Sequence, residues 1–325
     1  MKAPKSIVCA VDLRAGGDLA IMEADGWARR HDAVLTFVHA IPEMSRSHVL
    51  FPQFTQRTFE SLPALTRLTA DAVAGRVQRL TGRKQEDLDV RIETGSPAAI
   101  IVNIAEEVSA DLIVVAAVGG DGTIAPLGSV ALRTARHAHC PVLVVRPSPP
   151  GGVVLVATDL SDPTFPAVRA GAFASRALGA SAVVIHVSEF PNIMPVAPNA
   201  LSPAVTYATN ADDLDALRES ARECLDNALE REGLNGTGTI TEGIPAVAIV
   251  SAARRLQAGL VVIGTEGRTG LRRMLLGSTA EQILRDCPCS TLVVRLHSKE
   301  PVHEEAADRS RQYPGFSGDR AYAGA

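Results

Sequence analysis

Short apolar runs alternate with amphipathic stretches along the first half of the chain. The apolar runs, each typical of a buried strand, lie at 7–11, 34–38, 90–93, 112–115 and 142–145. The stretches with helical spacing lie at about 19–30, 63–80, 97–108 and 129–137. Residues 41–63 contain three prolines and are predicted to be irregular, with a helix beginning near Pro63. Strands that alternate with helices of this length predict a parallel α/β sheet.

The same order of elements restarts after residue 152. Each feature of the second half follows its counterpart by 147 to 149 residues: Asp12 and Asp159, His39 and His186, Gly95-Ser96-Pro97 and Gly243-Ile244-Pro245, Leu143–Arg146 and Leu292–Arg295. A constant offset over this many features indicates a tandem duplication.

The repeat predicts the domain organisation. We expect two doubly wound, five-stranded parallel-sheet domains at 1–147 and 153–296, related by a pseudo-two-fold axis. The Pro- and Gly-rich segment 148–152 is predicted to be a linker, and the polar residues 297–325 a disordered tail. The last strands, 142–145 and 292–294, could pair with each other and thereby cover two sheet edges.

Composition narrows the class of protein. Hydrophobic residues make up 46% of the chain and aromatic residues only 4%, which suits strands of Val, Leu and Ile covered by helices. A formal net charge of −4 gives no indication of nucleic-acid binding. No apolar run reaches the length of a membrane span, and five cysteines without a disulfide-type spacing favour a reducing compartment. The expected location is the cytoplasm.

The candidate chemistry lies in a glycine-rich loop that follows the apolar run ending near residue 263. Gly264, Gly267 and Gly277 precede Ser278 and Thr279, which begin a predicted helix. Glycines let backbone N–H groups approach an anion, and the helix N-terminus favours negative charge. Arg268, Arg272 and Arg273 add positive charge within the loop. The pattern predicts a phosphate-binding loop.

Polar residues also follow the first two strands of each half. Asp12 and Asp159 come after the first strand, and His186 lies near the end of the second strand of the second half. In doubly wound sheets, ligands bind beyond the carboxyl ends of the strands, where the strand order switches. These residues and the glycine loop are therefore expected to share one edge of the sheet.

At this point the sequence resembles the universal stress protein family in its tandem form. The resemblance covers residues 5–296 and rests on VATDLS at 156–161, VVIHVS at 183–188 and the spacing Gly264-x2-Gly267-x9-Gly277-Ser278. It implies an adenine-nucleotide α-hydrolase-like fold that binds ATP or AMP, with Mg²⁺ as an accompanying ion, and that regulates a stress response. It also implies dimers, here as an intramolecular pseudo-dimer with a further homodimer left open, and a regulatory protein partner of unknown identity.

The family's nucleotide-binding positions transfer to the second half. The residues implied are Ala157, Thr158, Asp159, Val187, Ile263, Gly264, Gly267, Arg268, Gly277, Ser278 and Thr279. The weaker candidates in the first half are Asp12, Ala40, Gly119, Gly128 and Ser129. No metal ligand and no catalytic residue is assigned.

The first half departs from the glycine pattern. Ala116 stands where the second half has Gly264, and the spacer before Gly128 is one residue shorter. The first-half loop has no arginine, and Asp121 adds a negative charge that opposes an anion. We expect the nucleotide to be held mainly by the second half.

Structural alternatives remain open for single residues. Ser278 and Glu281 have the spacing of a capping box, which would occupy the serine hydroxyl. His186 is interpreted as a packed histidine, and Cys287 and Cys289 as packing residues, since no second cysteine pair exists to complete a metal site.

Two other functions compete with regulatory nucleotide binding. One is a slow ATPase, or a nucleotidyl or phosphoryl transferase, for which Asp159, Glu266 and His186 are the only candidate groups. The other is a pseudo-dimer that binds no ligand. The sequence contains no Walker loop, no dinucleotide-binding fingerprint and no Gly-x-Ser-x-Gly motif, so binding is favoured over catalysis.

Overall fold

The computed structural model describes residues 2–14, 16–42, 52–117, 127–160, 166–188, 211–265 and 276–295. Within 52–61, 211–215 and 217 only the backbone is described. The predicted tail, together with Gly119, Asp121, Glu266, Gly267, Arg268, Arg272 and Arg273, lies outside these ranges.

The described chain forms ten strands and eight helices. The first half contains β1 (Ser6–Ala10), α1 (Gly17–His31), β2 (Val34–Ile41), α2 (Pro52–Thr81), β3 (Asp89–Thr94), α3 (Pro97–Glu107), β4 (Leu112–Ala116), α4 (Ser129–His137) and β5 (Val142–Val145). The second half contains β6 (Val153–Thr158), α5 (Pro166–Leu178), β7 (Ala182–Ser188), α6 (Ala211–Arg231), β8 (Gly236–Glu242), α7 (Pro245–Arg255), β9 (Ala258–Gly264), α8 (Ser278–Asp286) and β10 (Ser290–Val294). This is the alternation that the apolar runs predict.

One sequence-based boundary is wrong. Helix α2 begins at Pro52, eleven residues before the predicted start, and Pro63 lies inside it. A proline fits best in the first turn of a helix, which is why Pro63 suggested a beginning. The structure instead has one helix of 30 residues, which continues past Pro63 although a proline cannot donate a backbone hydrogen bond.

All ten strands join in one sheet, in the order β3-β2-β1-β4-β5-β10-β9-β6-β7-β8. Each half contributes five parallel strands, which confirms the predicted fold class. The halves meet where β5 pairs with β10, and this pair is antiparallel. The pairing of the last strands, open at the level of the sequence, is therefore present.

Helices cover both faces of the sheet. Along β1, Ile7 and Cys9 pack into one core, while Val8 packs into the other. The first core includes residues of α1, α2, α5 and α6, and the second includes residues of α3, α4, α7 and α8. Each core extends through both halves. Because the central strands are buried on both faces, their sequences are continuous apolar runs. No helix among the described residues combines the length and apolar character needed to cross a membrane.

The two halves also exchange polar contacts. The guanidinium of Arg146, just after β5, donates to the carbonyl oxygen of Leu284 near the end of α8, at 2.8 Å. Arg295, just after β10, donates to the carbonyl of Ala135 near the end of α4, at 2.9 Å. A cation at a helix C-terminus satisfies terminal carbonyls and complements the helix dipole. Each half thus caps a helix of the other.

Candidate functional site

The site of the second half lies where its strand order reverses. From β6 the chain proceeds outward through β7 to β8 and then returns to the other side of β6, where it forms β9. The crevice beyond the carboxyl ends of β6 and β9 is the usual position for a ligand in such a sheet. Thr158 ends β6 and Gly264 ends β9, so both of these predicted residues border the crevice.

The end of β6 turns sharply at the crevice. The Thr158 hydroxyl accepts a hydrogen bond from the N–H of Leu160 at 3.2 Å, and Leu160 has a φ of 59°. This turn presents Asp159, which is half-buried, at the edge of the sheet. Ala157 precedes the turn and is buried, so it can offer only backbone groups to a ligand.

The predicted residue on the neighbouring strand is Val187, which is 9% exposed and pairs with Thr241 of β8. Beside it, the Nδ1 of His186 lies 3.0 Å from the carbonyl oxygen of Thr158. A carbonyl oxygen can only accept, so Nδ1 carries the proton. His186 therefore ties β7 to the end of β6, in agreement with its interpretation as a packed histidine.

The glycine loop is closed at its base by a backbone hydrogen bond. Thr265 follows β9, and its carbonyl accepts from the N–H of Gly277 at 3.0 Å. A Cβ at Gly277 would lie 3.3 Å from the same oxygen, so the two ends of the loop approach closely. The start of α8 is thereby fixed beside the end of β9. Sequence reasoning did not single out Thr265, because its contribution is a backbone carbonyl.

The capping box predicted for α8 is not formed. Gly277 occupies the N-cap position, and no side chain caps the N-terminus of the helix. Glu281 instead accepts hydrogen bonds from Arg285 and from Arg136 of the first half. Ser278 and Thr279 are exposed at the first turn, and the Ser278 hydroxyl has no partner among the described residues. Neither bond of the capping box forms, because the N–H of Glu281 donates to the carbonyl of Gly277 at 2.9 Å and the Glu281 carboxylate is held by two arginines.

The backbone and strand order thus bring together nine of the eleven predicted residues of the second half at one sheet edge. Gly267 and Arg268 lie outside the described residues. A family model described as the universal stress protein family matches residues 4–146 and again 152–295. The chain belongs to the universal stress protein family.

Several similar proteins and structures also carry the family name. The protein "Universal stress protein MJ0531" of Methanocaldococcus jannaschii is 32% identical over 150 residues, covering 45% of this chain and 84% of that protein. A crystal structure of a universal stress protein from Archaeoglobus fulgidus covers 91% of this chain and 99% of its own, with 21% identity and a TM-score of 0.57. A universal stress protein in complex with cAMP covers 45% of this chain and 98% of its own, at 26% identity and a TM-score of 0.32.

The first universal stress protein repeat has the same loop base as the second. The N–H of Gly128 donates to the carbonyl of Ala117 at 2.7 Å, and a Cβ at Gly128 would lie 3.1 Å from that oxygen. His39 likewise contacts the carbonyl of Val11 through Nδ1 at 2.8 Å, beside the half-buried Ala40. The loop base and the histidine contact are therefore the same in both repeats.

Three polar groups of the first repeat are engaged in contacts within the protein. The Asp12 carboxylate accepts from the N–H of Arg14 at 3.1 Å, and the Ser129 hydroxyl lies 3.5 Å from the Arg133 guanidinium. Arg76 of α2 donates to the carbonyls of Leu13 and Arg14 at 2.7 and 3.1 Å.

Arg76 also forms a salt bridge with Asp18 at 2.5 Å. The contacts of Arg76 join residues about 60 positions apart in the sequence, and no local sequence signal indicated them.

Metal binding by the protein alone has no support in the described ranges. No three His, Cys, Asp or Glu side chains gather there in a group suited to a metal ion. Mg²⁺ is commonly bound through substrate phosphates and water, with few protein ligands.

Proposed function

We propose that this universal stress protein binds an adenine nucleotide, ATP or AMP, mainly in its second repeat, and that occupancy regulates a stress response. The observation that carries the proposal is the crevice between Thr158 of β6 and Gly264 of β9, with Gly277 at its base. A switch crevice, a glycine loop and a helix N-terminus together suit a phosphate chain.

Each part of the nucleotide has a counterpart in the site. Asp159 and the backbone near Val187 would hold the adenosine, as the family resemblance implies. The backbone N–H groups of the exposed residues Ser278 and Thr279 would meet the phosphates, with the positive end of α8 behind them. Arg268 would neutralise phosphate charge, and Mg²⁺ would accompany ATP through its own phosphates and water.

Binding is favoured over catalysis because one of the few candidate catalytic groups is held in a structural contact. His186, one of the candidate bases, is directed to the Thr158 carbonyl at 3.0 Å. A hydrolase needs a group that positions or deprotonates water. Sustained phosphate release that disappears in Asp159→Ala would instead support the enzyme alternative.

Isothermal titration calorimetry of the full chain tests the proposal. ATP with and without Mg²⁺, AMP and cAMP are titrated separately, with GTP as a control for the base. We expect heat from an adenine nucleotide and a stoichiometry of about one per chain, as one competent site requires. No heat at millimolar concentrations would refute nucleotide binding, and two equal sites would refute the difference between the repeats.

The matched variants are Gly277→Val and Gly128→Val. The added Cβ would meet a carbonyl oxygen at 3.3 Å in one case and 3.1 Å in the other, so the two structural costs are similar. Only Gly277→Val is expected to abolish nucleotide binding, while melting temperatures compare folding. Equal losses of binding would contradict the assignment to the second repeat.

A further inference from the structure

Two cysteines lie side by side in the segment that joins α8 to β10. Cys287 and Cys289 flank Pro288, and their sulfur atoms are 3.7 Å apart. Cys287 has extended backbone angles, so the two side chains project to the same side. They are 4% and 1% exposed, which leaves little room for a bulky reagent. Both are free thiols.

A buried arginine of the first repeat places positive charge near this pair. Arg146 is 9% exposed and acts electrostatically on both sulfurs. Its Nη2 binds the carbonyls of Leu284 and Arg285. Its Nη1 is buried and has no hydrogen-bond partner among the described residues. Burial lowers the pKa of Arg146, while the neighbouring sulfurs oppose that change by favouring its charged form.

The two thiols differ in acidity because one donates to the other. The hydrogen bond from Cys289 lowers the pKa of Cys287 against the opposing effect of burial, and Arg146 contributes to the lowering. Donating that hydrogen bond raises the pKa of Cys289, and burial raises it further. A more acidic thiol next to a protonated one is the arrangement of a nucleophile and its resolving partner.

The first repeat supplies a built-in comparison. Cys140 occupies the position equivalent to Cys289, and Arg295 acts on it as Arg146 acts on the pair. Ala138 stands where the second repeat has Cys287. Burial raises the pKa of this single thiol to about 12. The second repeat therefore differs from the first by one added sulfur in an equivalent environment.

We propose that Cys287 and Cys289 form a redox-active dithiol that a small hydroperoxide oxidises to a disulfide within the chain. The Cys287 thiolate attacks one peroxide oxygen, the O–O bond breaks, and the leaving oxygen takes a proton and departs as water or an alcohol. Cys287 is then a sulfenic acid. The sulfur of Cys289 attacks that of Cys287, the S–O bond breaks, and the hydroxyl leaves as water with the proton of Cys289. Two thiols lose two electrons and the peroxide gains them.

Peptide mass spectrometry of the native full chain tests the proposal with hydrogen peroxide as the probe. Trypsin releases residues 286–295, which contain both cysteines of the pair, and residues 137–169, which contain Cys140, because the Arg146–Pro147 bond is not cleaved. After limited oxidation, the protein is unfolded and alkylated, and we expect 286–295 to be two hydrogen masses lighter and unalkylated, while 137–169 is alkylated. Restoration by a dithiol reductant identifies the disulfide. A fully alkylated 286–295 peptide, or equal oxidation of both peptides, would overturn the proposal.

Variants separate the roles of the residues. Cys289→Ser keeps a hydrogen-bond donor and should leave a sulfenic acid on Cys287 that a 1,3-dione traps when the oxidised protein is unfolded in its presence. Cys287→Ala should leave Cys289 alkylated after peroxide, and Cys140→Ala should oxidise like the parent protein. Arg146→Met should slow oxidation at least about tenfold, since attack follows the thiolate fraction, and Arg146→Lys should restore part of the rate. Trapping on Cys289 instead of Cys287, or an unchanged rate in Arg146→Met, would contradict the proposed roles.

Discussion

Leu143 and Leu292 face each other at the centre of the antiparallel pair formed by β5 and β10. They occupy equivalent positions of the two repeats, 149 residues apart. On either side, Val142 pairs with Val293, and Val144 pairs with Thr291. The pseudo-two-fold axis therefore passes between the two leucines, and the repeats join through equivalent surfaces.

The two leucines should contribute jointly to stability. Each is 1% exposed, so Leu143→Ala and Leu292→Ala should each reduce the free energy of unfolding by about 2–5 kcal/mol. The double variant should lose less or more than the sum, because neighbouring residues are energetically coupled. Urea denaturation of the parent, the two single variants and the double variant measures this coupling. Strict additivity would show that the pair does not act as a unit.

Exchanging the residue that ends the fourth strand of each repeat should test whether the nucleotide binds mainly to the second repeat. Gly264→Ala introduces the residue that the first repeat has at Ala116, and it should weaken ATP binding about tenfold or more, a change of about 1.4 kcal/mol. The reason is that a methyl group hinders close approach of the phosphates to the backbone. Calorimetry gives the affinity, and Ala116→Gly is the control, with affinity and stoichiometry unchanged. A gain of a second site in that control would mean that Ala116 alone disables the first repeat.

Glu281 should make stability depend on acid pH. Hydrogen bonds from Arg285 and Arg136 lower the pKa of Glu281 below its ordinary value. The unfolded chain therefore binds the proton more readily, and the stabilisation is complete above the ordinary pKa and is lost as pH falls through the folded value. Glu281→Gln should remove this dependence, with a loss of about 1 kcal/mol or less near neutral pH. Thermal unfolding of the parent and of Glu281→Gln between pH 3 and 7 tests this prediction. If the melting temperatures of the two proteins change with pH in parallel, Glu281 does not cause the dependence.

His31 should make the stability of the protein depend on pH in a second, higher range. Its ring lies 5.0 Å from that of Phe173 and 5.5 Å from that of Trp27, at a contact between the two repeats. Burial, followed by the charges of Arg30 and Lys5, lowers the pKa of His31. The fold favours the neutral ring, so stability decreases as pH falls below the ordinary histidine value of about 6.5 and levels off below the folded pKa. His31→Phe should be less sensitive between pH 7 and 5, whereas His137→Phe, on another helix, should behave like the parent protein.

The apolar pattern was sufficient to predict the strands and the edge at which the candidate site lies. The apolar runs ending near Asp12 and Asp159 are buried on both faces, so their composition predicts strands with little ambiguity. The offset between repeats then made the pairing of the last strands a natural possibility. These features are encoded locally or by self-similarity, and both can be recognised in one sequence.

Other features arise from contacts between distant residues. Arg146 reaches Leu284 across 138 residues, and Arg76 contacts Leu13 across 63. The spacing of Ser278 and Glu281 suggested a local cap, but Arg136 of the other repeat holds the glutamate. The early start of α2 was missed because Pro63 satisfies the local rule for a helix beginning. Local rules fail here where tertiary contacts offer a better partner.

Joining the repeats in one polypeptide changes how they can evolve. The antiparallel pair of β5 and β10 would be a bimolecular interface if the repeats were separate chains, and its occupancy would then depend on protein concentration. A covalent connection makes the encounter intramolecular and fixes the ratio of the two partners. One repeat can then accumulate substitutions such as Ala116 while still supplying half of the shared sheet. Fusion thereby converts a symmetric assembly into one whose halves are free to specialise.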